Sequence, residues 1–365
     1  MPDIILKNVS KRFGKFSAVD NLNLVIENNA FITLLGPSGC GKTTTLRMIA
    51  GLETPTEGSI SIGGKTVFDA DEGINLPPNK RDVGFLFQNY ALWPHMTVYQ
   101  NIAFGLENLK WDKARIAARV KELLALLRIE PFEKRYPAEL SGGQQQRVAI
   151  ARTLAPGPKV LFMDEPLSNL DAKLRMEMRT ELKRLHRDTD STFVYVTHDQ
   201  LEAMTLSTRV CIMNSGVLQQ YAPPLEMYNN PANRFVADFM GNPTMNFLPG
   251  KLSRNGTVAF GGLAARFTPP AGFLPSDRAV IVGIRPEYIH IGEDGGAEAI
   301  VYSTLPSGME TTVKLTVGDT ALTAVVFGDV DYPVDSRVRF SLHKAAVLFD
   351  AESGENLARG SLDLI

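Results

Sequence analysis

The first hydrophobic segments of the chain are short, rich in β-branched and aliphatic residues, and separated by turn-forming residues. These segments are residues 4–9, 22–26 and 31–35. Gly14 and the Asn28–Asn29 pair interrupt them, which predicts β-strands joined by turns. Two later runs, 159–163 and 192–197, are apolar almost without a break. Such runs are typical of strands buried on both faces of a parallel sheet, so the pattern predicts an α/β fold.

Between residues 89 and 157 the spacing of apolar residues changes to that of helices. Within residues 111–129, aliphatic side chains recur at every third or fourth position, at Ile116, Val120, Leu123, Leu124 and Leu127. Basic residues occupy the other positions, which is the pattern of an amphipathic helix that packs against its own domain. We therefore predict a helical subdomain over about residues 89–157.

From residue 244 onward, polar and apolar residues alternate in short stretches separated by Gly, Pro and Asp. The clearest stretches are 279–284, 310–315, 321–327 and 337–342. A period of two is typical of half-buried strands. Before them, Gly241–Pro243 stops a short amphipathic helix. These patterns predict two domains, an α/β domain over residues 1–240 and an all-β, OB-like barrel domain over residues 241–365.

A glycine-rich turn joins the apolar run at 31–35 to a helical segment. The turn and the first residue after it are Gly36, Pro37, Ser38, Gly39, Cys40, Gly41, Lys42, Thr43 and Thr44. Two glycines bracket four residues and are followed by Lys and Thr, which is the P-loop pattern. Glycines let amide groups and a helix start face an anion, while Lys42 can neutralise phosphates and Thr43 can ligate Mg²⁺. The turn therefore predicts binding of a nucleoside triphosphate with Mg²⁺.

Four polar residues follow predicted strands, where open α/β sheets place their ligands. Asp164 suits Mg²⁺ coordination, and its neighbour Glu165 suits a base or an orienting group for an attacking water. Gln88 ends a strand where it can face a ligand or satisfy local backbone groups, and spacing does not decide between these. His198 closes a buried strand and is a candidate for contact with the γ-phosphate.

Two further places suit contacts with a nucleotide. Phe13 lies in a polar turn, where its ring either stacks on a base or is an ordinary surface aromatic. Ser141, Gly142, Gly143 and Gln144 begin a second helix, with Ser141 as a good N-cap. This helix start is receptive to anions, which raises the question whether both glycine-rich turns bind one nucleotide.

Composition limits the other classes of function. The chain has 365 residues with 38 basic and 40 acidic side chains, a net charge of −2, so no global field favours nucleic acid. Two cysteines, Cys40 and Cys211, provide no disulfide framework and suit a reducing compartment. We expect no signal peptide, and no apolar run approaches the roughly 20 residues that span a bilayer. Any work at a membrane would therefore depend on a partner.

Taken in order, these motifs resemble those of the ATP-binding cassette (ABC) ATPases. The Leu-Ser-Gly-Gly-Gln signature at residues 140–144 separates this family from other P-loop enzymes. The resemblance implies a P-loop NTPase cassette, made of a RecA-like core and a helical subdomain. The tail is similar to the TOBE or OB-like extension of the maltose-type carbohydrate importer ATPases, notably at residues 241–247 and 282–287.

The resemblance also implies a role for each motif within one subunit. Phe13 would stack on adenine, and residues 36–44 would wrap the phosphates. Glu165 would polarise the attacking water and His198 would hold the γ-phosphate, with Gln88 completing the catalytic group. The residues implied around Mg²⁺ are Thr43, Gln88 and Asp164.

The resemblance further implies a homodimer that closes head to tail over two ATP molecules. Ser141–Gln144 would contact the ATP of the other subunit, with Asp171 at the seam. Two integral membrane permease subunits would touch Gln88 and residues 90–97, and an extracellular solute-binding protein would act indirectly. The chain would then lie at the cytoplasmic face of the cell membrane. The alternatives to a sugar, polyol or glycerol-phosphate importer are a polyamine or ferric-ion importer and a soluble, non-transport ABC protein.

Overall fold

The structure is a computed structural model that describes residues 3–292, 296–343 and 345–365. Over these ranges the chain forms two compact units, which divide between Pro224 and Leu225. In the described ranges, no helix has both the length and the hydrophobicity that crossing a membrane requires. The division between the units comes earlier in the chain than the predicted boundary between residues 240 and 241.

The strands of the first unit form two sheets. They are β1 (Ile4–Phe13), β2 (Phe16–Ile26), β3 (Phe31–Leu35), β4 (Glu57–Ile62), β5 (Lys65–Asp69), β6 (Ile74–Asn75), β7 (Val83–Leu86), β8 (Val160–Asp164), β9 (Thr192–Val196), β10 (Arg209–Asn214) and β11 (Val217–Ala222). One sheet has five antiparallel strands in the order β2-β1-β4-β5-β6, and the other has six in the order β11-β10-β3-β9-β8-β7. The long β1–β2 hairpin extends the strands predicted at residues 4–9 and 22–26.

The helices of the first unit are α1 (Lys42–Ala50), α2 (Val98–Asn108), α3 (Lys113–Leu126), α4 (Gly142–Leu154), α5 (Ala172–Asp188) and α6 (Gln200–Leu206). Three of them, α2 to α4, lie in the region predicted as a helical subdomain. Helix α3 begins after Asp112, whose side chain accepts a hydrogen bond from the amide of Arg115. This cap explains why the helix starts later than the amphipathic pattern at residue 111. Short 3₁₀ helices lie at Pro78–Lys80, Glu130–Phe132 and Pro137–Glu139.

The six-stranded sheet positions the candidate site. Strands β3, β9, β8 and β7 run parallel, with β3 between β10 and β9. Strands β3, β8 and β9 are buried along their whole length, as their uninterrupted apolar sequences predict. Because they are parallel and adjacent, their carboxyl ends bring Gly36, Asp164 and the segment before His198 to the same edge of the sheet.

The second unit begins with two short helices and continues as β-structure. Its elements are α7 (Pro224–Asn229), α8 (Arg234–Phe239), β12 (Asn246–Leu252), β13 (Thr257–Phe260), β14 (Leu263–Thr268), β15 (Arg278–Ile284), β16 (Ile289–Ile291), β17 (Ala297–Pro306), β18 (Glu310–Val317), β19 (Thr320–Phe327), β20 (Arg337–Leu342), β21 (Ala345–Asp350) and β22 (Asn356–Leu364), with a 3₁₀ turn at Pro286–Tyr288. Strands β12-β13-β14-β22-β21-β15 close a barrel, which confirms the predicted barrel. Strands β16-β20-β17-β18-β19 form a separate five-stranded sheet that shares its apolar core with the barrel.

One buried arginine explains why residues 225–240 pack with the β-structure. The guanidinium of Arg285 donates hydrogen bonds to the main-chain oxygens of Ala237, Met240 and Tyr228. It also lies 3.9 Å from the centre of the Tyr228 ring, in a cation–π contact. The segment from α7 to Met240 is thereby fixed near both of its ends to the residue that follows β15, and Ala237 is buried against the barrel.

Replacing Arg285 with Met is expected to loosen this segment. The change leaves three carbonyl oxygens without their buried donor, a loss of about 3 kcal/mol in the local free energy of opening. Hydrogen exchange of the full chain should then be faster in residues 225–240. Arg254→Met, which removes an exposed ion pair with Asp277 in the same unit, is the control. Unchanged exchange in Arg285→Met would contradict the anchoring role.

Candidate active site

The glycine-rich turn between β3 and α1 has the backbone of an anion cradle. Gly36, Gly39 and Gly41 all have positive φ angles, of 148°, 79° and 102°. A Cβ at Gly41 would lie 2.4 Å from the main-chain oxygen of Ala18, and one at Gly36 would lie 2.2 Å from that of Met213. Glycine is therefore required at both positions by conformation and by space. Gly41 is the N-cap of α1, so the positive end of the helix faces the turn.

Lys42 is buried within this turn. Its ammonium donates hydrogen bonds to the main-chain oxygens of Gly36 and Pro37, both at 2.8 Å, and lies 3.8 Å from the Cys40 sulfur. The positive charge is thus held inside the glycine-rich turn. Phosphate oxygens of a bound nucleotide can replace the two carbonyl groups as its hydrogen-bond partners. Burial raises the pKa of the Cys40 thiol, which keeps the thiol protonated at neutral pH.

The residues predicted to hold Mg²⁺ come together in part. The Thr43 hydroxyl donates a hydrogen bond to Asp164 at 3.0 Å, and Arg47 lies 3.5 Å from the other carboxylate oxygen. Burial raises the pKa of Asp164, while the bonds from Thr43 and Arg47 act in the opposite direction. A hydroxyl and a buried carboxylate are hard oxygen ligands, and a divalent cation would offset the cost of burying the charge. This pair of donors fits Mg²⁺.

Glu165 and His198 lie in contact although they are distant in the sequence. The Glu165 carboxylate is 3.4 Å from Nδ1 of His198, at the ends of β8 and β9. Glu165 has a φ of 47°, an uncommon conformation for a residue with a side chain. Its amide donates to the main-chain oxygen of Val196, and its main-chain oxygen accepts from the Ser168 hydroxyl at 2.8 Å. These bonds fix the main chain of Glu165, whose carboxylate is partly exposed.

Gln88 follows β7 and contacts the turn after Glu165. Its side-chain amide donates to the Ser168 hydroxyl at 3.3 Å, and its main-chain oxygen accepts from the Asn169 side chain at 3.2 Å. The structure therefore places Gln88 against the turn formed by residues 168–171 rather than in the contact between Thr43 and Asp164. Gln88 as a ligand of Mg²⁺ remains a prediction.

The second glycine-rich turn has the capped helix start that was predicted. The Ser141 hydroxyl accepts from the amide of Gln144, and the Gln144 side chain accepts from the amide of Ser141. Ser141 and Gly142 are exposed, whereas Gly143 is buried. A Cβ at Gly143 would lie 2.7 Å from the side chain of Leu174 in α5. The signature turn thus presents an exposed, positive helix start held close to the helix that Asp171 begins.

Phe13 is at the tip of the β1–β2 hairpin and is 49% exposed. The ammonium of Lys11 lies 4.7 Å from the centre of its ring. Phe16, the next aromatic residue across the turn, pairs with Phe13 in the hairpin and is also exposed. The sequence did not single out Phe16. The exposed ring of Phe13 is available for stacking, and its contact with adenine remains a prediction.

Arg175 in α5 also contacts several parts of the site, although no sequence motif indicated it. Its guanidinium donates to the main-chain oxygen of Leu170 at 3.2 Å and lies 3.5 Å from the Asp199 carboxylate. It is also 3.9 Å from Glu202, a buried carboxylate whose pKa burial raises. Arg175 therefore joins the turn before Asp171 to the residues after His198. Arg175 lies four residues after Asp171, one helical turn further along α5. This spacing is the sequence feature that could have indicated its proximity to the site.

Comparison with known proteins finds matches to both units. The ABC transporter family profile matches residues 19–168. The MalK OB fold domain profile matches residues 241–289. The trehalose/maltose import ATP-binding protein MalK of Thermococcus litoralis is 46% identical, over 96% of this chain and 96% of that protein. The spermidine/putrescine import ATP-binding protein PotA of Rubrobacter xylanophilus is 50% identical, over 80% of this chain and 76% of that protein.

Solved structures match about three fifths of the chain. A dimeric structure of the ATP-binding cassette MJ0796, in a post-hydrolysis state bound to ADP and Pi, covers 60% of this chain and 98% of that one, with 34% identity and a TM-score of 0.52. CbiO1 of Clostridium perfringens, part of the ABC transporter complex CbiONQ, covers 62% of this chain and 90% of that one, with 28% identity and a TM-score of 0.57. The chain belongs to the ABC transporter family as an ATP-binding subunit, an ATPase with a MalK-type OB-fold domain.

Proposed function

We propose that this chain hydrolyses ATP to energise a bacterial importer of a carbohydrate, meaning a sugar, a polyol or a glycerol-phosphate. The observation that carries the hydrolytic part is the contact between Glu165 and His198, beside the pair formed by Thr43 and Asp164. A carboxylate that can orient water and an imidazole next to it thus lie at the sheet edge from which the phosphate loop also starts.

Different residues of this chain bind the phosphates, contact the adenine and orient the attacking water. Lys42 and the amides of residues 36–44 bind the phosphates, and Phe13 stacks on the adenine. Glu165 orients and polarises the attacking water, while His198 holds the γ-phosphate. When bound at Thr43 and Asp164, with Gln88 nearby, Mg²⁺ supplies positive charge that neutralises the phosphate oxygens.

We further propose that two copies enclose two ATP molecules head to tail. Within one chain the phosphate loop lies close to Ala18 and Met213, whereas Gly143 of the signature turn lies close to Leu174. The signature turn, Ser141–Gln144, is exposed at its helix start and suits the phosphates of a nucleotide held by the partner subunit, with Asp171 at the seam. The dimeric state of the related cassette MJ0796 supports this arrangement.

Closure of the dimer would be transmitted to two integral membrane permease subunits. Two aromatic side chains near Gln88 are exposed, Phe87 directly before it and Trp93 in the segment after it. Exposed aromatic side chains suit the docking of another protein. Because ATP binds the closed state better, binding shifts the population toward it, and hydrolysis shifts it back. The chain would work at the cytoplasmic face of the cell membrane, with an extracellular solute-binding protein as an indirect partner.

Two observations support different solutes. The match to the trehalose/maltose protein MalK extends over nearly the whole chain, and the MalK OB fold profile matches the second unit. These favour a carbohydrate. The match to the spermidine/putrescine protein PotA has higher identity over a shorter part of the chain, which keeps a polyamine as the second candidate.

A pull-down from solubilised membranes tests the proposal. Tagged Glu165→Gln chain with ATP should retain two integral membrane proteins, or one as a pair, because the variant holds the closed state. The solute-binding protein of that transporter should then bind a sugar, polyol or glycerol-phosphate. Binding of a polyamine instead would establish the second candidate. Recovery of ribosomes, repair factors or no membrane protein would overturn the transport role and leave the ATPase.

A further inference from the structure

Two consecutive residues after Gln88 have a backbone conformation that side chains disfavour. Tyr90 and Ala91 have φ angles of 59° and 49°, both in the left-handed region. A single residue of this kind is uncommon outside glycine, and two in succession need support from the surrounding structure. Hydrogen bonds within the segment, from the amide of Tyr90 to Phe87 and from that of Ala91 to Asn89, make the turn tight.

The support comes from Arg152, in the last turn of helix α4. One nitrogen of its guanidinium donates to the main-chain oxygen of Ala91 at 2.6 Å, and another donates to that of Tyr90 at 2.7 Å. The planar fork of an arginine matches two neighbouring carbonyl groups better than the single ammonium of a lysine does. Arg152 is partly buried, and its reduced exposure to water strengthens these bonds.

This contact joins three parts of the site. Helix α4 begins at the signature turn with Ser141 as its cap and ends near Arg152. The Tyr90 side chain is buried, and its hydroxyl donates to the main-chain oxygen of Pro166 at 3.4 Å. Pro166 is the residue directly after Glu165. Movement of α4 would therefore act on the backbone two residues after Gln88 and on the turn that carries the catalytic carboxylate.

We propose that Arg152 is a positioning residue for Gln88. By holding the carbonyl groups of Tyr90 and Ala91, it keeps the left-handed turn formed and Gln88 against Ser168 and Asn169. It thereby links helix α4, which begins at the signature turn, to Gln88 and Glu165 at the sheet edge of the same chain. The inference rests on the proposed catalytic role of Gln88 and adds a regulator of its position.

The first test is Arg152→Met, measured as steady-state ATP hydrolysis by the full chain. Because the variant misplaces Gln88 without touching the phosphate loop, kcat should fall between about tenfold and a hundredfold, with the KM for ATP within about twofold. Arg152→Lys should be intermediate. Unchanged kcat in Arg152→Met would overturn the proposal.

A second change separates positioning from a general loss of packing. Glycine adopts the left-handed conformation without strain, so Ala91→Gly in the Arg152→Met background should restore most of the lost kcat. A residue that merely fills space would not be rescued by removing a methyl group at position 91. Failure of this rescue would also overturn the proposal.

Arg119→Met is the matched control. Arg119 lies in the same helical subdomain and also donates to two carbonyl groups, those of Leu154 at 3.0 Å and Ala155 at 3.3 Å. Neither residue has a positive φ. The control should retain its kcat, and an equal loss in both variants would overturn the specific role of Arg152.

Wild-type chain and Gln88→Ala are measured in parallel, together with hydrogen exchange at residues 88–92. Exchange there should be faster in Arg152→Met than in Arg119→Met, whether or not ATP is hydrolysed. A wild-type chain without ATPase activity, or a fully active Gln88→Ala, would count against the proposed function. The exchange result alone would then decide the positioning: unchanged exchange in Arg152→Met would overturn it.

Discussion

Glu165→Gln is expected to retain ATP binding and to lose hydrolysis by a factor of about a hundred to a thousand in kcat. Glutamine has nearly the same shape, and the hydrogen bonds that form the turn come from the main chain of residue 165, so the turn stays intact. It carries no charge and cannot accept a proton, so it neither polarises water nor interacts with His198 as a carboxylate does. Steady-state hydrolysis and equilibrium binding of ATP measure the two parts separately.

The chain offers a matched control for this change. Glu177 is an exposed carboxylate on helix α5. Glu177→Gln removes the same charge and should leave both kcat and the affinity for ATP unchanged. Normal turnover in Glu165→Gln would remove Glu165 from the catalytic role, and lost ATP binding would show that the variant had disturbed the site.

Ser141→Arg is expected to lower ATP hydrolysis by at least about tenfold while the isolated monomer binds ATP with unchanged affinity. Ser141 is exposed at the start of α4, so an arginine there obstructs the surface that the partner subunit must approach. The phosphate loop of the same chain packs against Ala18 and Met213 instead of Ser141, so it should stay intact. Hydrolysis at saturating ATP and binding at low chain concentration measure the two effects. A large loss of monomer affinity would contradict the assignment in trans.

Because Ser141 also caps its helix, a second variant keeps the interpretation clear. Ser141→Ala removes the capping hydroxyl alone and costs about 1 kcal/mol of stability. Ser141→Asp keeps a capping oxygen but sets a negative charge toward the phosphates held by the other subunit. Ser141→Asp should therefore be folded and inactive, whereas Ser141→Ala should be less stable and more active than Ser141→Asp.

The parts of the site that the sequence could predict are those governed by local rules. The runs at residues 31–35, 159–163 and 192–197 became β3, β8 and β9 because a buried parallel strand needs a continuous apolar segment. Glu165 and His198 could be placed at one edge because parallel strands end together. The capping of α4 by Ser141 followed from residue type and spacing alone.

Contacts between distant segments could not be predicted in this way. Arg152 reaches carbonyl groups 61 and 62 positions away, and nothing in a run of apolar residues indicates which main-chain oxygens an arginine side chain will contact. The same holds for Arg285, whose contacts move residues 225–240 into the second unit although the composition changes only after residue 241. The five-stranded sheet beside the barrel was missed because period two does not tell which strands pair.

We propose that each ATP is held by the phosphate loop of one chain and the signature turn of the other. Mixing Glu165→Gln chains with Ser141→Arg chains tests it most directly. In a head-to-tail heterodimer, the intact phosphate loop and Glu165 of the Ser141→Arg chain meet the intact signature turn of the Glu165→Gln chain, so one complete site forms. ATP hydrolysis by the mixture should be well above the sum of the rates of the two variants alone. Hydrolysis equal to that sum, with heterodimers demonstrated by differential tags, would contradict it.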